Sequence, residues 1–267
     1  MQVVEHSGEV EGLPVHWLRA GEAPVLYLHG VPNTAQLWRP FLERTGGIAP
    51  DLPGFGRSAK RGDFDYSIDG YERFLEAFTA EAGLDRFSLV VHDWGAVGLA
   101  LAQGSPDRIE RLVLIAAVPF VPGYRWHRIA RAWRTPGLGE LFMGTSTKWG
   151  FKQLSRESNV TPGPMPDDFV DDVWRHFDQG TQRAILRLYR SAPEDVLARA
   201  GARLGAITSP ALVLWGTRDP YLPVALADSY ADVLGGDATV ERVEAGHWPW
   251  LDRPELVGRV ADFIAGS

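Results

Sequence analysis

The sequence predicts an α/β protein whose mostly parallel sheet is covered by helices on both faces. Short runs dominated by apolar residues recur at residues 87–91, 111–117 and 211–215, and helical patterns separate the runs. Strands without a polar face are typical of parallel sheets that pack against helices on either side. The alternation stops between about residues 118 and 206, where helices and loops rich in Pro and Gly are expected. We interpret this segment as a helical insertion over the sheet.

Each element is predicted from its own pattern of apolar residues. Residues 2–6 and 12–19 are expected to form a hairpin-like start that turns near Gly8 and Gly12. The helix predicted at residues 69–83 has apolar residues at the 3.6-residue spacing of a buried helix face. The other strands are predicted at residues 24–28, 47–50, 87–91, 111–117, 211–215 and 238–243, and the other helices at residues 34–43, 96–102, 223–234 and 254–265.

The predicted domains are an α/β core at residues 1–120 and 206–267 and a helical cap at residues 121–205. Ligands of such sheets bind beyond the carboxyl ends of the strands, which is where this cap would lie. The cap is rich in aromatic residues, so we expect a dry, apolar pocket beneath it. Its tryptophans include Trp126, Trp133, Trp149 and Trp174.

Composition excludes several classes of function. The 267 residues have a net charge of −7 without a block of like charges, which argues against a nucleic-acid surface. The absence of Cys excludes disulfides, thiol catalysis and Cys-ligated metals. No apolar stretch is long enough to span a membrane, and no signal peptide is recognisable at the N-terminus. We expect a cytoplasmic monomer or homodimer.

The stretch from Leu89 to Gly98 indicates a strand, a tight turn and a helix, with Asp93 at the apex of the turn. Gly95 and Gly98 provide the missing side chains that such a turn needs. At the N-terminus of the helix, backbone N–H groups and the helix dipole favour a negative charge. Asp93 is therefore either a helix cap or a nucleophile held out from the sheet.

Three further signals lie at strand ends and favour the nucleophile. Val31 follows a strand, and its N–H together with that of Trp94 would form a two-donor oxyanion hole. Asp219 follows the strand that ends near Trp215, and His247 follows the last strand. Nucleophile, acid and His in this chain order match the order of the triad in α/β hydrolases.

The chain resembles the α/β-hydrolase superfamily along nearly its whole length. The matching motifs are His29-Gly30-Val31-Pro32, the loop from Asp51 to Ser58, and Gly246-His247. Where esterases have Gly-x-Ser-x-Gly, this chain has His92-Asp93-Trp94-Gly95-Ala96, which resembles the aspartate-nucleophile branch of epoxide hydrolases and haloalkane dehalogenases. The resemblance implies that Asp93 is the nucleophile, His247 the base and Asp219 the acid that orients it. No clustered set of His and Asp ligands is visible in the sequence and water completes the turnover, so we expect no metal and no cofactor.

The chemistry of a carboxylate nucleophile leads to the same class of reaction. Attack on an ester gives an anhydride that easily reverts, whereas attack on an sp3 carbon that carries a leaving group gives an aspartyl ester. Water activated by His247 then hydrolyses this ester, and the oxyanion hole stabilises the oxyanion of that step. The expected partners are a small apolar organic substrate and water. A receptor that only binds an apolar ligand would be expected to have lost part of the triad.

The leaving group separates the two branches. An epoxide oxygen needs a proton donor, and Tyr189, 30 residues before Asp219, resembles the ring-opening tyrosine of epoxide hydrolases. The position expected for a second tyrosine holds Ile129 instead, and Tyr124 or His127 would have to replace it.

A halide ion instead needs N–H donors in a dry site. Trp94 matches the first halide-binding indole of the dehalogenases, but Trp follows the nucleophile in many epoxide hydrolases too. The usual Asn of the loop is replaced by Val31, so a cap tryptophan, Trp149, would have to serve. We therefore favour epoxide hydrolysis, with haloalkane dehalogenation as the alternative. The predicted substrate-binding residues are His29, Pro32, Tyr124, His127, Trp149 and Trp248.

Overall fold

The computed structural model describes residues 1–266. In this part of the chain, strands β1 to β8 are Val4–Val10, Leu13–Ala20, Val25–Leu28, Gly47–Pro50, Phe87–Asp93, Ile109–Ala117, Ala211–Gly216 and Ala238–Val243. Helices α1 to α12 are Arg39–Thr45, Ile68–Glu81, Gly98–Gly104, Arg128–Arg134, Leu138–Gly144, Lys148–Leu154, Asp167–His176, Gln179–Ser191, Glu194–Ala200, Ala225–Val233, Pro249–Asp252 and Leu256–Ala265.

The eight strands form one sheet in the order β1-β2-β4-β3-β5-β6-β7-β8. The pairs β1–β2 and β2–β4 are antiparallel, and all later pairs are parallel. The carboxyl ends of β3, β5, β6, β7 and β8 therefore lie at one edge of the sheet. The predicted α/β architecture with a mostly parallel sheet is confirmed.

Alternate residues of the central strands face opposite layers of helices. Leu89 and Val91 belong to the apolar cluster that includes α2 and α3, whereas Val90 between them belongs to the cluster that includes α1 and α12. Both faces of β5 are therefore buried, and all of its residues are shielded from solvent. This explains why the run Leu89–Val91 at its centre is wholly apolar.

Helices α4 to α9 connect β6 to β7 and lie where the sequence predicted an insertion. They pack against loops of the sheet: the Thr181 hydroxyl donates a hydrogen bond to the Gly54 carbonyl (2.9 Å), and the Lys60 ammonium donates to Asp178 (2.7 Å). The division into a core and a cap at residues 121–205 stays a prediction. Among residues 1–266, no helix is both long and apolar enough to cross a membrane.

Some element boundaries differ from the sequence-based expectation. Strand β1 extends to Val10, and the turn lies at Glu11 and Gly12, whose φ angles are 49° and 75°, so that Gly8 lies within the strand. The predicted helix at residues 34–43 begins as a 3₁₀ turn, and α1 starts only at Arg39, where Pro40 suits the first helical turn. Likewise, a 3₁₀ turn at Trp94–Val97 precedes α3.

The turn after β5 passes very close to β3. A Cβ atom at Gly95 would lie 2.0 Å from the Leu28 carbonyl oxygen, and one at Gly98 would lie 2.5 Å from Leu28 Cδ1. Because a backbone oxygen cannot move away as a flexible side chain can, Gly95 is required for this packing.

Gly95→Ala should lower the free energy of unfolding by about 1–3 kcal/mol, because the added methyl group forces β5 and β3 apart. Urea denaturation followed by circular dichroism measures the change. Gly62→Ala is the matched control, since no atom lies within 4 Å of a Cβ at Gly62; its effect should stay within about 0.5 kcal/mol. Equal stability of the two variants would contradict the close approach.

Candidate active site

Asp93 ends β5 in an unusual backbone conformation. Its φ and ψ angles are 49° and −121°, a strained region for a residue with a side chain. The side chain is only 6% exposed. Gly30 makes room for it, since a Cβ atom at Gly30 would lie 2.3 Å from Asp93 Cβ. The fold therefore presents the Asp93 carboxylate in a fixed position at the edge of the sheet.

Two backbone N–H groups face this carboxylate. The Val31 N–H donates a hydrogen bond to Asp93 Oδ1 (2.8 Å), and the Trp94 N–H lies beside the carboxylate and favours its ionised form. Val31 follows β3 and Trp94 follows β5, which are neighbours in the sheet. The structure thus brings together the two N–H groups that the sequence proposed for an oxyanion hole, and they point at Asp93 itself.

His247 lies between two carboxylates. Its Nδ1 donates a hydrogen bond to Asp219 Oδ2 (2.7 Å), and its Nε2 lies 3.8 Å from Asp93 Oδ2. The N–H groups of Tyr221 and Leu222 donate to the other oxygen, Asp219 Oδ1 (2.8 and 3.0 Å). The loops after β5, β7 and β8 therefore assemble a carboxylate–imidazole–carboxylate chain.

Burial and charge shift the pKa values of this chain. Burial would lower the pKa of His247, but the charge of Asp219, the hydrogen bond that His247 donates to it and the charge of Asp93 together raise the pKa above its ordinary value. Burial also raises the pKa of Asp93, and the nearby His247 and the two N–H groups oppose this shift. The imidazole therefore accepts a proton more readily than an isolated His does.

Two contacts that the sequence reasoning missed hold the His247 backbone. His92 Nε2 donates a hydrogen bond to the His247 carbonyl oxygen (2.9 Å), and the two imidazole rings lie 4.8 Å apart. The Ser158 carbonyl oxygen accepts the His247 N–H (2.9 Å). Burial lowers the pKa of His92 well below its usual value, so this ring is neutral. In the sequence, the position of His92 directly before Asp93 could have indicated that this residue contacts the site.

A cavity of about 340 Å³ lies between the sheet edge and the inserted helices. Asp93 and His247 form part of its wall, and the other lining residues include neither Lys, Arg nor Glu. Much of the remaining wall is aromatic. The aromatic residues are Trp133, Phe142, Phe151, Trp174, Phe177, Tyr189, Tyr221 and Trp248.

Tyr189 of α8 lines this cavity. Its ring lies 5.1 Å from that of Trp94 and 5.0 Å from that of Trp133. Burial and the nearby Asp93 raise the pKa of Tyr189 well above its usual value, so the phenol keeps its proton. The indole nitrogens of Trp94 and Trp133 are buried without a hydrogen-bond partner among residues 1–266.

The other predicted substrate-binding residues divide into two groups. Pro32, His127 and Trp248 line the cavity. Trp149 does not reach it, because its side chain points outward from α6 and is 72% exposed. His29 is buried away from the cavity, where Nδ1 donates to the Gly30 carbonyl and Nε2 accepts the Leu52 N–H (2.9 and 3.0 Å).

Tyr124 is also outside the cavity lining, and its buried hydroxyl has no partner among residues 1–266. The prediction of Trp149, His29 and Tyr124 as substrate contacts is not supported by these positions. Conversely, Ser158, Tyr221 and Trp133 line the cavity without having been selected from the sequence. Tyr221 lies two residues after Asp219, and this proximity in sequence was a usable signal.

The arrangement supports attack by a buried carboxylate followed by base-assisted hydrolysis. Asp93 faces an apolar cavity, and a base with a raised pKa lies beside it. In the described part of the chain, no cluster of three or more His, Asp or Glu side chains could hold a metal ion.

Asp219→Asn should lower the pKa of His247, because it removes the Asp219 charge that raises this pKa while the opposing effect of burial remains. A titration of the imidazole signals by NMR measures this shift. Asp228→Asn is the control, since Asp228 is an exposed carboxylate bound to Arg242. An unchanged His247 pKa in Asp219→Asn would show that this carboxylate does not control the base.

Comparison with known proteins identifies the family of the chain. The chain matches the family model described as alpha/beta hydrolase fold over residues 23–254. It is 30% identical to a haloalkane dehalogenase of Mycolicibacterium paratuberculosis over 274 residues, which cover 93% of this chain and 86% of that protein.

Two solved structures have similar folds. The haloalkane dehalogenase DbeA from Bradyrhizobium elkani shares 27% identity, with a TM-score of 0.83 and coverage of 99% of this chain and 98% of that one. The epoxide hydrolase CorEH has a TM-score of 0.85 over 99% of both chains, but its 18% identity supports the fold alone. These comparisons support a hydrolase, and the chain belongs to the α/β-hydrolase fold family.

Proposed function

We propose that this hydrolase opens a small to medium apolar epoxide to a vicinal diol through an ester on Asp93. The observation that carries the proposal is the position of Tyr189, a buried phenol that lines the same cavity as Asp93 and His247. Its raised pKa keeps it protonated at neutral pH, as a general acid must be before it donates.

In the first step, the Asp93 carboxylate attacks an epoxide carbon and the C–O bond to that carbon breaks. The released oxygen takes the proton of Tyr189, which leaves a hydroxyalkyl ester on Asp93. The Val31 N–H stays on Oδ1 throughout, so the second carboxylate oxygen is the attacking atom.

In the second step, His247 takes a proton from water while the water oxygen attacks Asp93 Cγ. The Val31 and Trp94 N–H groups stabilise the oxyanion that forms. Collapse of this intermediate releases the diol oxygen, which takes the proton held by His247. The remaining proton of the water returns to Tyr189, so the net reaction adds one water molecule. Since His247 acts as a neutral base, ester hydrolysis should rise with pH through the pKa that His247 has in the ester intermediate, where the Asp219 charge still raises this pKa and the Asp93 charge no longer does.

Haloalkane dehalogenation is the second candidate, and two observations favour it. The relative at 30% identity is named a haloalkane dehalogenase. The indole N–H groups of Trp94 and Trp133 have no partner among residues 1–266, and a halide ion accepts such donors. Both nitrogens are buried, however, and Trp94 is not part of the cavity wall. We therefore rank epoxide opening first.

With styrene oxide the protein should form the diol, and with 1-bromobutane it should release little bromide. In a His247→Gln variant, mass spectrometry should find an adduct on Asp93 with the mass of the whole epoxide, because the ester is no longer hydrolysed. Asp93→Asn is the control that should form no adduct. Bromide release without diol would replace the epoxide proposal by the dehalogenase one, and no adduct with either compound would reject both.

Tyr189→Phe should slow the alkylation of Asp93 by styrene oxide by about 10²-fold or more, because the leaving oxygen loses its general acid. Rapid-quench mass spectrometry of a single turnover measures this step. Tyr66→Phe serves as the control, since it also removes a phenol hydroxyl, but one that lies outside the cavity and donates to the Arg61 carbonyl. A Tyr189→Phe rate close to that of the unmodified protein would remove Tyr189 from the mechanism.

A further inference from the structure

We propose that Ser158, Tyr221 and His127 form a polar corner of the cavity that donates a hydrogen bond to a second oxygen atom of the substrate. The preferred substrate is then a neutral aryl compound with an ether, hydroxyl or carbonyl oxygen besides its reacting group. The kinetic part of this inference rests on the proposed function, whereas ligand binding at the corner does not.

The hydroxyl groups of Ser158 and Tyr221 have one proton that the hydrogen bond between them does not use. Ser158 Oγ and Tyr221 Oη are joined by one hydrogen bond of 2.9 Å, and neither oxygen has another partner among residues 1–266. Two hydroxyl groups carry two protons, and their mutual bond uses only one. Ser158 is 1% exposed and both residues line the cavity, so the second proton is available to a ligand there.

His127 provides a second donor beside this pair. Its Nδ1 accepts the Ala130 N–H (3.4 Å) at the start of α4, which assigns the ring proton to Nε2. Burial and the neighbouring His247 lower the pKa of His127 to about 4, so the ring is neutral at pH 7. Nε2 has no partner in the described part of the chain. The Tyr221 ring lies 5.0 Å from the ring of His127.

The corner is separate from the group that serves the leaving atom. The Tyr189 ring packs against Trp94, Trp126 and Trp133. The Tyr221 ring packs instead against His127 and His247, at 5.0 and 5.1 Å. The two phenols therefore have different ring neighbours, and the proposal assigns the leaving oxygen to Tyr189 and a second substrate oxygen to Tyr221.

The rest of the cavity determines the remainder of the substrate. Trp174 and Phe177 are stacked with ring centroids 5.5 Å apart, and Phe142 and Phe151 contribute further aromatic surface. Such a wall favours a flat aryl group. No Lys or Arg lines the cavity, so an anionic substrate would lose its hydration without gaining an ion pair with either, and a cationic substrate would pair with the Asp93 carboxylate that must stay free to attack.

The first test measures binding with a pair of unreactive ligands of the same size, ethyl phenyl ether and propylbenzene. Isothermal titration calorimetry should show that Tyr221→Phe and Ser158→Ala each reduce the preference for the ether by about 3- to 10-fold, the value of one neutral hydrogen bond. His127→Phe should reduce it similarly. Tyr66→Phe and Ser229→Ala, whose hydroxyls lie outside the cavity, are the matched controls.

The second test compares turnover of reactive pairs. Phenyl glycidyl ether is paired with 1,2-epoxy-4-phenylbutane, and 2-bromoethyl phenyl ether with 1-bromo-3-phenylpropane. The ratio of kcat/KM for ether over hydrocarbon should fall in Tyr221→Phe with whichever pair the enzyme turns over. The epoxide proposal is tested by which of the two pairs is turned over, whereas the polar corner is tested by the ratio within that pair.

An unchanged ether preference in all three variants, in binding and in turnover, would overturn the inference. It would also be overturned if Tyr221→Phe slowed both members of a pair equally and the Asp93 ester accumulated. That result would mean that the hydroxyl pair serves the hydrolytic water or the position of His247 and not the substrate oxygen.

Discussion

The burial of the Asp93 carboxylate against two backbone N–H groups is the constraint on which the rest of the site depends. A buried charge is costly unless fixed dipoles or an opposite charge compensate it. Here the Val31 and Trp94 N–H groups and the nearby His247 do so. To meet them, Asp93 adopts a positive φ, and Gly30 and Gly95 leave the space that side chains would otherwise fill. Packing against β3 and the loop that follows it therefore maintains the strained backbone conformation of Asp93.

The base depends on more distant parts of the chain. Asp219 orients the imidazole, and His92 and Ser158 bind the carbonyl and N–H of His247. Ser158 belongs to the segment between β6 and β7, so this segment both covers the cavity and positions the base. A movement of these helices away from the sheet would change the polarity of the cavity and the geometry of His247 together.

The residues at strand ends could be predicted from the sequence because a parallel sheet collects the carboxyl ends of its strands at one edge. Val31, Asp93 and Asp219 each follow a recognisable apolar run and His247 follows the last predicted strand, so topology alone brings them close. No comparable rule predicts which residues of the inserted helices face the cavity. Helix α6 has seven residues and none of them is fully buried, so its sequence does not tell which face meets the cavity, and Trp149 points to solvent.

The sequence by itself determined the sheet, the apex carboxylate and its partners, because short-range apolar patterns and chain order are enough to specify strand ends. Only the tertiary structure decided which side chains face Asp93 across the cavity. Tyr189 enters the cavity while Tyr124 stays outside it, and Tyr221 and Ser158 form a pair although they are 63 residues apart. Contacts of this kind depend on how short helices and loops pack against one another, and no local pattern encodes that packing.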